Sequence, residues 1–315
     1  MVAGCAASVT PPRASPTRST AATPTTDPAR PATTAPPGIA RNLVELDEPV
    51  PGSAHRNIPV YLFYLTPTPA AAAPPKPLVV FSPGYDIDPL GYTPLLEAWA
   101  RAGYLVAAPE YPYTTPGAPG GLDEADILNH PRDLAFVISQ LTTPRSSLLP
   151  VGLQLIGPGD VAVAGHSDGG DVALALTAAP CCRFFTPRAA LILSGAELAS
   201  FGSDYFSGGS VPMLVVQGTA DAINPPGCST EIYNQDPGTK YYLSLAGADH
   251  LEPYTEAGPA ASVVAAVTID FLDRFLRGDA SGLTRAPAAV AGTGTLVSGG
   301  SVPQAPGGCP GAPEP

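Results

Sequence analysis

The sequence predicts an α/β protein in which helices cover both faces of a mostly parallel central sheet. Three observations indicate this class. Short apolar runs of strand length recur along the chain, segments with helical spacing separate them, and 44% of the 315 residues are hydrophobic. Runs that are apolar throughout are typical of strands buried on both faces, as in a parallel sheet. Strands that alternate with helices favour the same architecture.

The first half of the chain predicts three strands and two helices. Residues 58–65 alternate loosely between apolar and polar side chains, whereas 78–81 and 104–108 are continuous apolar runs that end at proline-containing turns. Residues 92–102 and 124–141 place apolar side chains three and four positions apart, so each is expected to be a helix with one buried face.

The second half continues the alternation. A strand over 161–164 leads into a helix over 172–178, and 261–276 is the last amphipathic helix. Ligands of such sheets bind beyond the carboxyl ends of the strands, so we expect the functional site there. Between these helices, three further strands are predicted over 190–193, 213–216 and 241–245.

Charge and hydrophobicity exclude two classes of protein. The chain has 15 Lys+Arg and 27 Asp+Glu, which gives a formal net charge of −12, so the basic surface that nucleic acids require is not expected. No run of 18 apolar residues is present, so no transmembrane helix is predicted. We therefore expect neither a nucleic-acid partner nor a membrane-spanning chain.

Composition divides the chain into three parts. Residues 1–39 include a Pro- and Thr-rich stretch with little apolar material to bury, so we predict a disordered linker. Residues 40–280 contain all the predicted strands and helices and are expected to form a single folded domain. Residues 281–315 are rich in Gly, Pro and Ala and are predicted to be a C-terminal tail.

The first residues contain a possible processing signal. Residues 2–5 read Val-Ala-Gly-Cys and resemble a bacterial lipobox, in which Cys5 would become lipid-modified. The charged and apolar regions of a signal peptide do not precede it, so the hypothesis requires a longer signal upstream of Met1. It predicts an extracytoplasmic protein, secreted or anchored to the membrane as a lipoprotein. The alternative is a chance match at a cytoplasmic start.

Four other cysteines fit an oxidising compartment. They are Cys181, Cys182, Cys228 and Cys309, and four cysteines allow three pairings. A bond between the adjacent pair would close a strained ring, so we expect one of the other two pairings, with free buried thiols as the alternative. None forms a C-x-x-C pair, so neither zinc nor redox chemistry is indicated.

The strongest chemical signal is Gly-His-Ser-Asp-Gly at 165–169. It contains G-x-S-x-G between a predicted strand and a predicted helix, which is the context of a nucleophilic serine at a sharp turn. Small residues are needed on both sides because the turn is strained and its neighbours are close. We therefore predict that Ser167 is a nucleophile, with an ordinary glycine-rich turn as the alternative.

A serine hydroxyl needs a base, and only four histidines exist. His55 precedes the sheet, His130 lies in a helix before the serine, and His166 adjoins Ser167, so its side chain is expected to point away. His250 follows the last predicted strand and fits the chain order of nucleophile, acid and histidine. His250 is therefore the predicted base, and a surface histidine is the alternative.

The acid that orients this histidine should follow a strand between the two. Asp221 lies directly after the strand 213–216 and is the prediction. Its rivals are Asp204, which precedes that strand, Asp236, in a turn, and Asp249, which adjoins the histidine.

Donors for a developing oxyanion complete the predicted site. One should be the backbone N–H of Asp168, the residue after the nucleophile. The other should come from the loop after 78–81, where the N–H of Tyr85 follows Gly84. For the side chain of Asp168 we expect only the favourable position of a carboxylate at a helix N-terminus.

Together these residues resemble the α/β-hydrolase family over 55–280. Phe-Ser-Pro-Gly-Tyr at 81–85, with the serine motif, is similar to bacterial cutinases and polyester hydrolases, and to esterases related to platelet-activating-factor acetylhydrolase and dienelactone hydrolase. Residues 128–133 and 271–279 are similar to the broader esterase group. The resemblance implies an α/β-hydrolase fold, and the 195–210 segment is too short for a large cap domain.

The chain departs from two of these groups. Polyester hydrolases usually carry a Trp shortly after the strand that follows the serine helix, whereas the single Trp here is Trp99, which argues against polymer hydrolysis. Dienelactone hydrolases proper use a cysteine nucleophile where this chain has Ser167.

The resemblance implies a serine hydrolase that cleaves carboxylic esters through an acyl-enzyme, with 40–280 as the catalytic domain. The expected partner is a small-molecule or lipid-like ester, no metal or organic cofactor is implied, and the protein is expected to be a monomer. The alternatives are a cell-envelope acyltransferase with the same triad and a surface binding protein on an inactive scaffold.

Overall fold

A computed structural model describes residues 38–50, 55–66, 75–143, 147–150, 153–155, 157, 159–279 and 281–309. The predicted lipobox with Cys5, and the linker up to residue 37, lie outside the described residues. In the described part, no helix is both long and apolar enough to cross a membrane.

A single sheet of nine strands runs through the described part of the chain, in the order β1-β2-β4-β3-β5-β6-β7-β8-β9. Strands β3 to β8 are parallel to one another, whereas β1, β2 and β9 are antiparallel to their neighbours. The strands are β1 (Ile39–Glu48), β2 (Arg56–Leu65), β3 (Leu78–Ser82), β4 (Leu105–Pro109), β5 (Val161–His166), β6 (Ala189–Leu193), β7 (Met213–Gly218), β8 (Lys240–Leu245) and β9 (Gly294–Ser298).

Helices cover both faces of the sheet because alternate side chains of each strand point to opposite faces. Leu78 and Val80 of β3 lie in one buried cluster with residues of the helices at 130–142, 168–178 and 226–235, whereas Val79 and Phe81 lie in another with residues of the helices at 93–101 and 259–276. The fold class predicted from the sequence is therefore confirmed. The helices are α1 (Thr93–Arg101), α2 (His130–Thr142), α3 (Asp168–Ala178), α4 (Pro226–Gln235), α5 (Glu252–Thr255), α6 (Pro259–Leu276) and α7 (Gly282–Ala289).

Among the strands and α-helices that precede β8, two escaped the sequence analysis because their local pattern is weak. β1 is an edge strand with several exposed side chains, so it lacks a continuous apolar run. α4 contains Gly, Ser, Thr and Asn, which are poor helix formers, and it is held by the burial of Cys228, Ile232 and Tyr233. Between β6 and β7 the chain forms only the short 3-10 helix Ala199–Phe201, so a large cap domain is absent from this described stretch.

The predicted tail belongs to the fold for most of its length. Residues 281–309 form α7 and β9, and β9 pairs with β8. The structure therefore corrects the predicted domain boundary at residue 280, because the folded domain continues to Cys309. The composition of this segment, rich in Gly, Pro and Ala, gave no sign of a strand. β9 is short and half-exposed, and it is held in the sheet by its pairing with β8.

The cysteine pairing also corrects the sequence analysis. Cys228 at the start of α4 bonds to Cys309, and the adjacent residues Cys181 and Cys182 bond to each other. The vicinal bond lies in the short 3-10 helix Pro180–Cys182 after α3. Once Cys228 and Cys309 meet, each adjacent cysteine has the other as its partner among the described cysteines.

Candidate active site

Ser167 lies at the sharp turn between β5 and α3, at the carboxyl edge of the parallel sheet. Its backbone has φ 55° and ψ −128°, a conformation that non-glycine residues rarely adopt and that costs about 1–3 kcal/mol. Its N–H donates to the carbonyl of Leu193, and its own carbonyl accepts from the N–H groups of Gly170 and Asp171. Hydrogen bonds on both sides therefore hold the strained turn in place.

Two glycines let the turn form. A Cβ atom at Gly165 would overlap the carbonyl oxygen of Gly169, and a Cβ at Gly169 would overlap the carbonyl oxygens of Ser82 and Pro83. The small residues of the motif are therefore required by backbone packing between β5, α3 and the end of β3.

Asp221 and His250 meet at the same edge of the sheet. Asp221 follows β7 and His250 follows β8, and the Nδ1 of His250 lies 2.8 Å from Oδ2 of Asp221. The other carboxylate oxygen accepts the backbone N–H groups of Ile223 and Asn224 at 3.0 and 2.9 Å. Gln217 Nε2 donates to Oδ2 at 3.1 Å. Both side chains are buried, so the pair is held in one orientation.

The charge of Asp221 is maintained by these donors. Burial alone would raise the pKa of Asp221, but the hydrogen bond and charge of His250, with the N–H of Asn224, hold that pKa below its usual value. The carboxylate therefore stays ionised and accepts the Nδ1–H of His250.

The rival residues lie in other surroundings. Asp249 accepts the N–H groups of Leu251 and Glu252 at the start of α5, and Asp236 accepts from Ser210 and Gly238. Their roles are local, and neither contacts His250 through a hydrogen bond. The other candidate acid, Asp204, is exposed, and the other candidate bases are His55, at the surface with Asp47, and His130, stacked on Tyr111.

The hydroxyl of Ser167 makes no hydrogen bond to another residue in the described part of the chain. The structure thus joins His250 to Asp221, with Ser167 at the same carboxyl edge of the sheet. Hydrogen bonds to such a serine are often long in unliganded sites and shorten when substrate binds.

The loop after β3 lies against the serine. A Cβ at Gly84 would be 3.1 Å from the Cβ of Ser167, so glycine lets this backbone approach closely. The N–H of Gly84 donates to the hydroxyl of Tyr92, and the N–H of Asp86 donates to the carbonyl of Thr114. Between them, the N–H of Tyr85 donates to no described residue and is free to bind a ligand.

The second predicted donor belongs to Asp168, the first residue of α3. Its N–H is bonded to no other described residue and makes a hydrogen bond only to its own carboxylate. Both predicted donors, Tyr85 and Asp168, therefore flank Ser167 with N–H groups that other residues leave available.

The carboxyl group of Asp168 departs from the sequence expectation. A helix N-terminus should stabilise its charge, yet burial, reinforced by the nearby charge of Glu124, raises the pKa of Asp168 to about 7. Its Oδ2 is buried and has no hydrogen-bond partner among the described residues. Burial therefore outweighs the helix dipole and the hydrogen bond from the N–H of Asp168 itself.

This raised pKa predicts a pH-dependent stability. In the unfolded chain an aspartic acid ionises at roughly pH 4, whereas Asp168 keeps its proton to about pH 7 in the fold. Its contribution to stability is therefore present below pH 4 and is lost as the pH rises to 7. The neutral Asp168→Asn variant should gain on the order of 2 kcal/mol in unfolding free energy at pH 8, relative to wild type.

Chemical unfolding at pH 4 and pH 8 measures this effect. The gain of Asp168→Asn should disappear at pH 4, and the exposed Asp204→Asn should show equal differences at both pH values. If the difference in unfolding free energy between Asp168→Asn and wild type were the same at both pH values, the raised pKa of Asp168 would be contradicted.

One group of side chains has the composition of a metal site. Among the described residues, Asp126, His130 and Asp133 bring ligand atoms within reach of one another. The guanidinium of Arg56 already donates to both carboxylates at 2.7–3.0 Å. An arginine thus supplies the positive charge that a metal ion would bring, and the group joins β2 to α2.

Sequence reasoning missed the residues that support the acid. Gln217 lies within β7 and reads as a strand residue, yet its side chain reaches Asp221 and the carbonyl of Asn224. Asn224 Nδ2 donates to the carbonyl of Ser194, another residue with positive φ. The available signal for Gln217 was a polar residue directly after the apolar run 213–216, shortly before Asp221.

The sheet order, the helices on both faces and the strained serine turn define an α/β-hydrolase fold. Among solved structures, a ferulic acid esterase from Streptomyces cinnamoneus is similar, with a TM-score of 0.59 and 24% sequence identity over 79% of this chain and 93% of that chain. No family model and no curated protein matches the chain. At this identity the likeness shows the fold, and the activity has to be argued from the site.

Proposed function

We propose that the protein is a serine hydrolase that cleaves carboxylic esters through an acyl-enzyme intermediate. The observation that carries this proposal is the buried His250–Asp221 pair at the same sheet edge as a serine held in a strained turn. Such a turn has a cost in stability that an ordinary loop avoids, so its retention beside an oriented imidazole points to chemistry at Ser167.

The first half of the reaction forms the acyl-enzyme. Nε2 of His250 accepts the proton of Ser167 while Oγ attacks the ester carbonyl carbon, and the electron pair of the C=O bond moves to oxygen. In this proposal the N–H groups of Tyr85 and Asp168 stabilise that oxyanion. The intermediate collapses, the ester C–O bond breaks, and the imidazolium returns its proton to the departing alcohol.

The second half releases the acid. A water gives its proton to Nε2 of His250 as its oxygen attacks the acyl carbon, and Ser167 then leaves with that proton. Throughout, Asp221 holds Nδ1–H of His250 and stabilises the imidazolium. The low pKa of Asp221 keeps the carboxylate charged for this role.

The substrate class is proposed as small-molecule or lipid-like esters. The similar fold of a ferulic acid esterase supports an ester as substrate, and the absence of a large cap over the described site supports an open pocket. The finer likeness to cutinases and to dienelactone-hydrolase-like esterases stays a prediction from the motifs.

We also propose that the protein acts outside the cytoplasm. Two disulfides form in the described domain, and such bonds persist mainly in oxidising compartments. A lipid anchor at Cys5 remains a prediction of the sequence.

Hydrolysis of a p-nitrophenyl ester series from acetate to palmitate tests the proposal. We expect turnover and labelling of Ser167 by a fluorophosphonate probe, located by peptide mass. A folded protein that neither hydrolyses an ester nor labels would overturn the proposal in favour of an inactive scaffold. Transfer of the acyl group to an added alcohol, without hydrolysis, would identify an acyltransferase instead.

The acid assignment makes its own prediction. In Asp221→Asn the amide would have to face both Nδ1 of His250 and the donor Nε2 of Gln217. An amide nitrogen toward Nδ1 forces the proton onto Nε2, which is the wrong tautomer for a base. We expect kcat to fall about 10⁴-fold, measured on the best ester, with Asp204→Asn as the control. A loss below tenfold would exclude Asp221 as the orienting acid.

A further inference from the structure

His166, the residue before Ser167, is buried between Tyr92 and the backbone of His250. Its ring packs against the rings of His250 and Tyr254, with centroids 4.7 and 4.6 Å apart. The sequence analysis set this residue aside because its side chain points away from the serine. The structure shows that it points toward the backbone of His250.

The hydrogen bonds of His166 have one consistent direction. Its Nε2 lies 2.8 Å from the carbonyl oxygen of His250, and because a carbonyl only accepts, Nε2 carries the proton. Its Nδ1, 2.8 Å from the hydroxyl of Tyr92, must then accept the phenolic proton. The oxygen of Tyr92 in turn accepts the N–H of Gly84 at 3.1 Å.

These contacts form a chain from the loop after β3 to the loop after β8. It begins at Gly84, next to the free N–H of Tyr85, and passes through Tyr92 and His166 to the backbone of His250. Tyr92 and His166 are both fully buried, so water cannot replace either partner. We call this chain the Tyr92–His166 bridge.

The bridge is electrically neutral. Burial, together with the charge of the neighbouring His250, lowers the pKa of His166 to about 3. Burial likewise raises the pKa of the Tyr92 phenol far above its usual value. The direction of the hydrogen bonds is therefore the same throughout the range in which the protein is expected to work.

Building on the proposed function, we infer that Tyr92 and His166 are positioning residues that fix the oxyanion loop and the catalytic base relative to each other. Because Tyr92 and His166 are fully buried, neither side chain is exposed to a substrate. The bridge acts through Gly84, which sets the N–H of Tyr85, and through the carbonyl of His250, which sets that imidazole. Small misplacements of reacting groups cost large factors in rate, so the bridge should affect kcat more than KM.

Tyr92→Phe tests the inference because it removes one oxygen atom and leaves the N–H of Gly84 and Nδ1 of His166 without their partner. We expect kcat to fall roughly ten- to a hundredfold, with KM within about twofold of wild type. The matched control is Tyr104→Phe, which removes another buried phenol hydroxyl, bonded to Asp273 away from the site. Thermal unfolding should show similar stability losses for the two variants.

A second variant tests the inference if Tyr92→Phe does not fold. In His166→Gln, an amide nitrogen at the former position of Nε2 still donates to the carbonyl of His250, but no acceptor then lies at the former position of Nδ1 for the hydroxyl of Tyr92. Its kcat should therefore also be reduced at near-constant KM. Folded variants with kcat within twofold of Tyr104→Phe would overturn the inference.

The failure of the proposed function gives a different result. If the wild type hydrolyses no ester, hydrogen exchange of the His166 imidazole N–H, followed by NMR, tests the Tyr92–His166 bridge independently of any activity. That proton should exchange slowly in the wild type and at least about tenfold faster in Tyr92→Phe. Equal exchange in both proteins would rule the bridge out.

Discussion

Ser167→Ala is expected to lower kcat by roughly 10⁶-fold, as removal of the nucleophile does in subtilisin. Alanine removes only Oγ, and that hydroxyl makes no hydrogen bond to another described residue, so the fold should not depend on it. The residual rate should come from substrate binding and the two N–H donors alone. Steady-state hydrolysis of the best p-nitrophenyl ester, with fluorophosphonate labelling, measures the loss.

Ser207→Ala is the control for this variant, because Ser207 is exposed and follows the 3-10 helix after β6. It should keep wild-type activity and labelling. If Ser167→Ala retained more than about a hundredth of the wild-type kcat with its unfolding transition unchanged, Ser167 would not be the nucleophile.

The largest loss of stability is expected for Gly169→Ala. The added methyl group would overlap the carbonyl oxygens of Ser82 and Pro83, which are backbone atoms in a buried strand end and cannot move independently. Separating α3 from β3 would also open the core on one face of the sheet. We expect destabilisation of more than about 4 kcal/mol, the range reserved for severe packing faults.

Chemical unfolding of Gly169→Ala beside Gly159→Ala measures this cost. A Cβ at Gly159 would meet no atom within 4 Å, so that variant should unfold like wild type. If both glycine variants unfolded at the same denaturant concentration, the close approach of α3 to β3 would be excluded.

The placement of Asp221 and His250 could be predicted from the sequence because it depends on local order. Each follows an apolar strand, parallel strands end at one edge, and the two chain segments therefore had to meet. The same reasoning placed Ser167 and the loop with Tyr85 at that edge. Strand and helix periodicity carried this information without any knowledge of side-chain packing.

The remaining features depend on contacts between distant residues. Tyr92 and His166 are 74 positions apart, and nothing in their local patterns indicates a hydrogen bond between them. The pKa of Asp168 depends on how fully α3 is buried. The vicinal disulfide at Cys181 follows from the meeting of two other cysteines, 81 positions apart, across the domain.

The C-terminal strand has a consequence for self-association. β9 covers the outer edge of β8, from the pair Tyr241–Ser298 to the pair Leu245–Gly294. An uncovered edge strand offers its N–H and C=O groups to another molecule as a template for sheet extension. A chain that ended at residue 280 would expose β8 in this way, directly before the loop that carries His250. β9 thus takes the edge position in place of β8 and pairs with the backbone of the strand that leads to the proposed catalytic base.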